Sequence, residues 1–270
     1  MKLAAIYNVW ADSVDLLYES VSWMGELADG IIIVWSESSN YGELSEPYIP
    51  IDAWMRREYN ITMVQIEPDL KLLPSENERA KRNAGLEQAK KLGYSHFLMM
   101  DADEFYEPEP FLKEKERFLN PDLKGLVCAS QVYFKSPKLT IGLDTTRITF
   151  IHKITPNLRF EFNRDYPYAF DRTGIYIDPT RQLNINNGVE WSNVICHHYS
   201  WVRKDFEKKI RNSTARNNIE NSTIRQDLSL AKEGHFCKFY DKTLIRASVD
   251  FNIPEFNVDE NLQSLPTGNR

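Results

Sequence analysis

Cysteine is scarce in this 270-residue chain: Cys128, Cys196 and Cys237 are odd in number and widely spaced, which excludes a Cys-x-x-Cys zinc pair and a disulfide framework. Long hydrophobic runs are missing too. The apolar N-terminal stretch, residues 1–7, is cut short by Asn8 and Asp12, and no later stretch approaches a membrane span, so a cytoplasmic chain with no membrane span is expected. An excess of positive charge is equally absent. Lys and Arg number 33 against 39 Asp and Glu, a formal net charge of -6, so no broad field draws in nucleic acid or an anionic membrane. Internal repeats and low-complexity tracts are also lacking.

What is present is the composition of an ordinary globular protein, 42% hydrophobic and 27% charged, long enough for one α/β domain with a substantial core. Residues 3–7, 31–35, 61–66 and 96–100 are apolar or β-branched runs, as in strands covered on both faces. Between the first two, Val14, Leu17, Tyr18, Val21, Met24 and Ala28 follow helical spacing behind Asp12 or Ser13 as N-cap. Ser75-Glu76-Asn77-Glu78 reads as a capping box opening a helix that Gly93 ends. Strands alternating with helices predict a mostly parallel sheet. Beyond Asn120-Pro121, residues 126–134 and 147–154 read as strands of a β-ribbon and 205–216 as a helix, while 157–188 has too many turn formers and aromatics to assign.

The strand at 96–100 runs straight into Asp101-Ala102-Asp103-Glu104. In open α/β sheets ligands sit at the carboxyl ends of strands, and residues two apart on an extended chain point the same way, so Asp101 and Asp103 share a side. Two carboxylates this close repel, and a hard dication with oxygen ligands, Mn²⁺ or Mg²⁺, relieves that repulsion and bridges to a diphosphate. The bland alternative is a solvated acidic turn capping a helix near Pro110. A phosphatase of the Asp-x-Asp-x-Thr type is disfavoured because Phe105 stands where the hydroxyl belongs, and a sugar nucleotidyltransferase because Tyr7-Asn8-Val9-Trp10 replaces a Gly-rich loop.

Arg82-Asn83-Ala84-Gly85-Leu86-Glu87-Gln88-Ala89, followed by Phe97-Leu98-Met99-Met100 and the acidic cluster, resembles the family 2 glycosyltransferases of the GT-A fold. The likeness covers about the first half of the chain. It implies a Rossmann-like, mostly parallel central sheet flanked by helices, with residues 1–120 holding a nucleotide-diphosphate sugar and residues 121–270 forming an acceptor-side half with C-terminal helices. It places Asp101 by the ribose or the metal, Asp103 on the metal, Asn83 in the donor pocket, and Tyr7 and Asn8 beside the base. Family members often carry Asn-Glu where this chain has Asn8-Val9. His197-His198-Tyr199-Ser200-Trp201-Val202-Arg203 resembles a segment of a bacterial and phage branch of these enzymes, in which a distal histidine completes the metal site. His198 is the expected ligand, with His197 the weaker choice, and Arg203 and Lys204 are expected to clamp the diphosphate.

Inverting transfer needs a carboxylate base; Asp171, Asp178 and Glu190 are candidates, and Glu190, beside Trp191, is preferred. The expected reaction is metal-dependent transfer of a sugar from a nucleotide-diphosphate donor to a glycan, lipid-linked or other hydroxyl acceptor. The alternatives are a noncatalytic carbohydrate- or protein-binding module on the same fold, and an enzyme acting on hydroxylated DNA bases. The acidic net charge disfavours nucleic acid.

Overall fold

A computed structural model describes residues 1–10, 14–44, 49–169, 176–220 and 222–256. The first half alternates as the hydrophobic pattern requires: β1 Leu3–Val9, α1 Leu17–Gly25, β2 Gly30–Trp35, α2 Ala53–Glu58, β3 Ile61–Gln65, α3 Pro74–Lys91 and β4 His96–Asp101. The short β5 Glu104–Phe105 and α4 Pro108–Glu116 follow, then β6 Gly125–Phe134, β7 Ser136–Lys153, β8 Tyr176–Ile177 and β9 Val189–Trp201. Three helices, α5 Phe206–Asn212, α6 Arg216–Glu220 and α7 Ile224–Leu230, precede the two-residue strands β10 Phe236–Cys237, β11 Lys242–Thr243 and β12 Ile245–Arg246. Among the described residues no helix is long and apolar enough to cross a membrane.

The main sheet runs β3-β2-β1-β4-β7-β6-β9-β5. Its first four strands are all parallel, whereas β4 meets β7, β7 meets β6 and β9 meets β5 antiparallel. The expected ribbon is therefore part of the main sheet, as the long β6–β7 pair. The chain walks outward from β1 to β3, then returns across β1 to lay down β4. That reversal makes a crevice between the carboxyl ends of β1 and β4, where open α/β sheets take their ligands. Asn8 and Asp101 are register partners at its floor. After β4 the chain crosses to the far edge, where Glu104 pairs with His198 and Phe105 with His197, so β5 carries the acidic turn to the histidine strand.

Alternation along β1 divides the core: Leu3, Ala5, Tyr7 and Val9 pack with α1, and Ala4 and Ile6 with Leu86 and Ala89 of α3. Gly85 lets α3 lie close to the sheet, since a Cβ there would collide with Ile6 and Val34. Asp12 and Ser13 lie outside the described residues. The capping box is shifted from its expected place: α3 opens at Pro74, whose fixed φ suits a first helical position, and the backbone N–H of Leu73, not Ser75, donates to Glu76 Oε2 at 2.8 Å.

His152 on β7 is fully buried, and its Nε2 lies 2.7 Å from the Tyr166 hydroxyl. Burial pulls the imidazole down to about 4, only partly opposed by the Phe150 carbonyl. The folded chain thus keeps His152 neutral where the unfolded chain protonates it. Its contribution is complete above the ordinary histidine value of 6.5 and is lost as pH falls from there towards 4. Chemical denaturation at pH 7.5 and 4.5 is expected to show about 2–3 kcal/mol of loss from this residue, with a flatter pH dependence in His152→Gln. An identical slope in the two proteins contradicts this assignment.

Candidate active site

A cavity of about 190 Å³ opens at the β1–β4 crevice, lined among others by Asn8, Trp10, Lys81, Asp101, Asp103 and Arg203. Two of its polar atoms are orphaned: Asn8 Oδ1 and the Trp10 indole Nε1 are buried without a hydrogen-bond partner. Leaving such groups unpaired costs about 1–3 kcal/mol each, so an orphaned acceptor and an orphaned donor on two residues that line one cavity call for an explanation. The loop after β2 adds Ser39 and Asn40, and the C-terminal helices add Lys209, Asn212 and Ser213. Lys81 reaches from α3 to the Val9 carbonyl at 2.8 Å and Ser36 Oγ at 2.9 Å, fixing an ammonium at the carboxyl ends of β1 and β2.

Asp101 and Asp103 both face this cavity. The sequence places a dication between them to relieve their repulsion, yet in the fold each carboxylate has its own guanidinium. Asp101 Oδ2 is 2.7 Å from Arg181 Nη2 and Oδ1 is 3.5 Å from Arg82 Nη1, while Asp103 Oδ2 pairs with Arg203. Burial pushes both carboxyls up, and the cations outweigh it: Arg181 and Arg82 hold Asp101 below the usual carboxylate range, and His198 with Arg203 holds Asp103 well below it. His198 Nε2 lies 3.5 Å from Asp103 Oδ1. Burial lowers its affinity for a proton, but Asp103 more than compensates and raises it. Among the described residues no three His, Cys, Asp or Glu side chains are grouped to hold a metal by themselves.

Beneath Asp101 lies a network that the sequence did not announce. Arg181 is buried, 2.5 Å from Glu104 Oε1, and Glu104 Oε2 accepts from the Asp101 backbone N–H at 2.9 Å. Arg82 is fully buried and pairs with Glu78 at 2.5 Å. Burial pushes the carboxyls of Glu78 and Glu104 up, against the pull of Arg82 and Arg181. Four buried acids with opposed shifts, each paired with an arginine, are the pattern of a site rather than of a solvated surface. Arg82 was legible, since it adjoins Asn83 in the quoted motif. Arg181 sits in the 157–188 stretch, where no periodicity or spacing signals it.

The remaining expected residues scatter. Tyr7 is buried under the sheet, its hydroxyl donating to the Ser20 carbonyl at 3.0 Å, and does not reach the cavity. Asn83 faces away and clasps the Phe160 backbone at 2.8 and 3.0 Å. Lys204 points to Asp15 and the Phe256 ring instead of the cavity. His197 turns its Nδ1 to the Tyr133 hydroxyl at 2.9 Å, on the side opposite His198. Glu190 pairs with Arg117 at 2.5 Å at the start of β9. Eight residues separate it from His198, roughly 26 Å along a strand. Asp171 lies outside the described residues. Asp178, weighed in the sequence but not preferred, is the carboxylate that reaches the site: it lines this cavity and two adjoining ones. Its Oδ1 accepts from Thr180 N–H at 2.8 Å and Thr180 Oγ1 at 2.9 Å, leaving Oδ2 held 3.9 Å from Arg181 Nε.

No protein-family model matches the chain, and no curated protein matches its sequence. Solved structures align with it at low similarity. S. aureus TarS is 16% identical with a TM-score of 0.44, over 88% of this chain and 46% of that one. S. aureus TarS 1-349 in complex with UDP is 17% identical with a TM-score of 0.41, over 87% and 72% of the two chains. The same protein in complex with UDP-GlcNAc is 18% identical with a TM-score of 0.36, over 49% and 35%. The chain spans less than half the length of the first of these structures, and at such identities the likeness concerns the fold alone.

Proposed function

We propose that this chain is a glycosyltransferase that moves a sugar from a nucleotide-diphosphate donor to an acceptor hydroxyl with inversion. The observation that carries the reading is the pair of orphaned atoms, Asn8 Oδ1 and Trp10 Nε1, in a crevice that also gathers Lys81, Lys209 and Arg203. A nucleobase edge offers the N–H and the acceptor these two atoms lack, and the three cations suit a diphosphate. Residues 1–120 supply the base and Asp103 side of this site, and residues 121–270 supply Arg203, His198 and Asp178.

The donor set of Asp103 Oδ1 and His198 Nε2, one carboxylate oxygen and one imidazole nitrogen, would suit Mn²⁺ better than Mg²⁺, which prefers oxygen ligands throughout, with phosphate oxygens and water to complete the shell. When bound, the ion supplies positive charge to the diphosphate. Asp101, committed to Arg181, fits that role less well and serves to fix the turn. Asp178 is our choice of base in place of Glu190. The acceptor hydroxyl gives its proton to the Asp178 carboxylate while its oxygen bonds to the anomeric carbon. The bond from that carbon to the diphosphate oxygen breaks, and its electron pair leaves with the nucleoside diphosphate, met by Arg203 and the lysines.

Calorimetry with a panel of nucleotide-diphosphate sugars is expected to find a donor whose affinity drops about tenfold in Asn8→Leu, the worth of one buried hydrogen bond. In wild type, chelation is expected to lower turnover and Mn²⁺ to restore it. No binding by any donor, or binding indifferent to Asn8→Leu, defeats the reading; turnover indifferent to chelator defeats the metal role.

A further inference from the structure

Next to the donor crevice lies a larger cavity of about 750 Å³, and the two share Asp178 and Thr214 as common walls. Its lining differs in character. Phe162 and Tyr176, 49% and 39% exposed, bring two aromatic side chains to its wall. Ser75, Thr146 and Thr180 add hydroxyl-bearing side chains, and Arg79 adds the cavity's single cationic side chain. Arg79 stands one turn before Asn83 on α3 and, among the described residues, has no hydrogen-bond or ion-pair partner. The guanidinium of Arg164 lies 5.9 Å from the Phe162 ring centre and raises the positive potential at that rim, while nearby Glu161 is already matched by Arg159.

Flat apolar rings take the C–H face of a sugar, hydroxyls pair with its hydroxyls, and an uncommitted guanidinium takes a carboxylate or phosphate by two parallel bonds. The placement of Asn83 then has a purpose: by clasping the Phe160 backbone it holds the segment that carries Phe162 against α3, on the same side as Arg79. We propose that this cavity binds the acceptor, and that the acceptor is an anionic saccharide whose ring rests on Phe162 and Tyr176 and whose charge is read by Arg79. The proposal rests on the transferase reading, because Asp178 at the shared wall is what connects the bound sugar to the donor.

The test uses three forms of one hexose, glucose, glucuronic acid and glucose 6-phosphate, with binding to the full chain measured by calorimetry and ligand-observed NMR. At least one anionic form is expected to bind tenfold or more tightly than glucose. Arg79→Gln is expected to erase that preference, Arg79→Lys to restore part of it, and Phe162→Ala to weaken all three sugars. Carboxylate against phosphate then identifies the source of the charge. Equal binding of all three, no binding of any, or a preference that survives Arg79→Gln overturns the proposal. Donor binding to the wild type, measured without saccharide, separates the two levels. A donor that binds alongside an acceptor cavity blind to charge defeats only this inference, whereas absent donor binding defeats the transferase reading itself.

Discussion

Asp178→Asn is expected to lower sugar transfer by about 10²- to 10⁴-fold, the range lost when a positioned general base is removed. The substitution keeps the shape of the side chain, and an amide oxygen still accepts from the Thr180 N–H and hydroxyl that hold Asp178 at 2.8 and 2.9 Å. What disappears is the capacity to take a proton. The loss therefore falls on kcat, with KM for the donor little changed, because no donor contact is assigned to Asp178. Glu190→Gln is the matched control, since that carboxylate sits with Arg117 at the other end of β9. Steady-state kinetics with a matched donor and acceptor decide between them. Full activity in Asp178→Asn together with collapse in Glu190→Gln returns the base to the position preferred from sequence.

Arg181→Met is expected to destabilise the fold by about 3–5 kcal/mol, the cost of breaking a buried ion pair from one side. Arg181 is the common partner of Asp101 and Glu104, at 2.7 and 2.5 Å, and Glu104 is fully buried. Removing the guanidinium leaves the Glu104 carboxylate buried beside Asp101 without its cationic partner. Adding Glu104→Gln to Arg181→Met is expected to recover part of the loss, because the double variant no longer buries an unpaired carboxylate. Equilibrium denaturation in urea measures both. A loss under about 1 kcal/mol, or a double variant no better than the single one, means that the network does not hold the acidic turn in place.

The parallel half of the fold was legible because its information is local. Residues 3–7, 31–35, 61–66 and 96–100 each carry enough continuous apolar character to identify a covered strand, and all four lie on β1 to β4. The place of Asp101 and Asp103 by the cavity was legible because their strand ends at the carboxyl ends of the parallel strands, a rule of topology rather than of any one contact. His198 was reachable through its motif, although what brings it to Asp103 is the pairing of β5 with β9, which joins residues almost a hundred positions apart. The rest depends on contacts of that long range. Arg181, Asp178 and Phe162 come from 157–188, which contains little regular structure beyond the two-residue β8. No periodicity marks such residues, and their place beside the cavities follows only from the long-range contacts they make. The separation of Glu190 from the cavity was not visible in the sequence for a related reason. Proximity to an aromatic residue and a turn says what surrounds a carboxylate but not at which end of a thirteen-residue strand it stands.

The repulsion between Asp101 and Asp103 illustrates a sharper limit. Charge balance around an acid pair can be met by a metal or by arginines, and the sequence around the pair does not distinguish them. Here Arg82, Arg181 and Arg203 arrive from α3, from the segment after β8 and from the segment after β9. On the proposed reading, a divalent ion at Asp103 and His198 would serve the diphosphate more than the protein, so the fold is expected to tolerate chelation that turnover does not.

A crystal structure of the chain with a nucleoside diphosphate and Mn²⁺ tests the central claim most directly. The account predicts the base within hydrogen-bonding reach of Asn8 Oδ1 and Trp10 Nε1, and the diphosphate between Lys81 and Arg203. A nucleotide seated elsewhere, with those two atoms still unpaired, contradicts it.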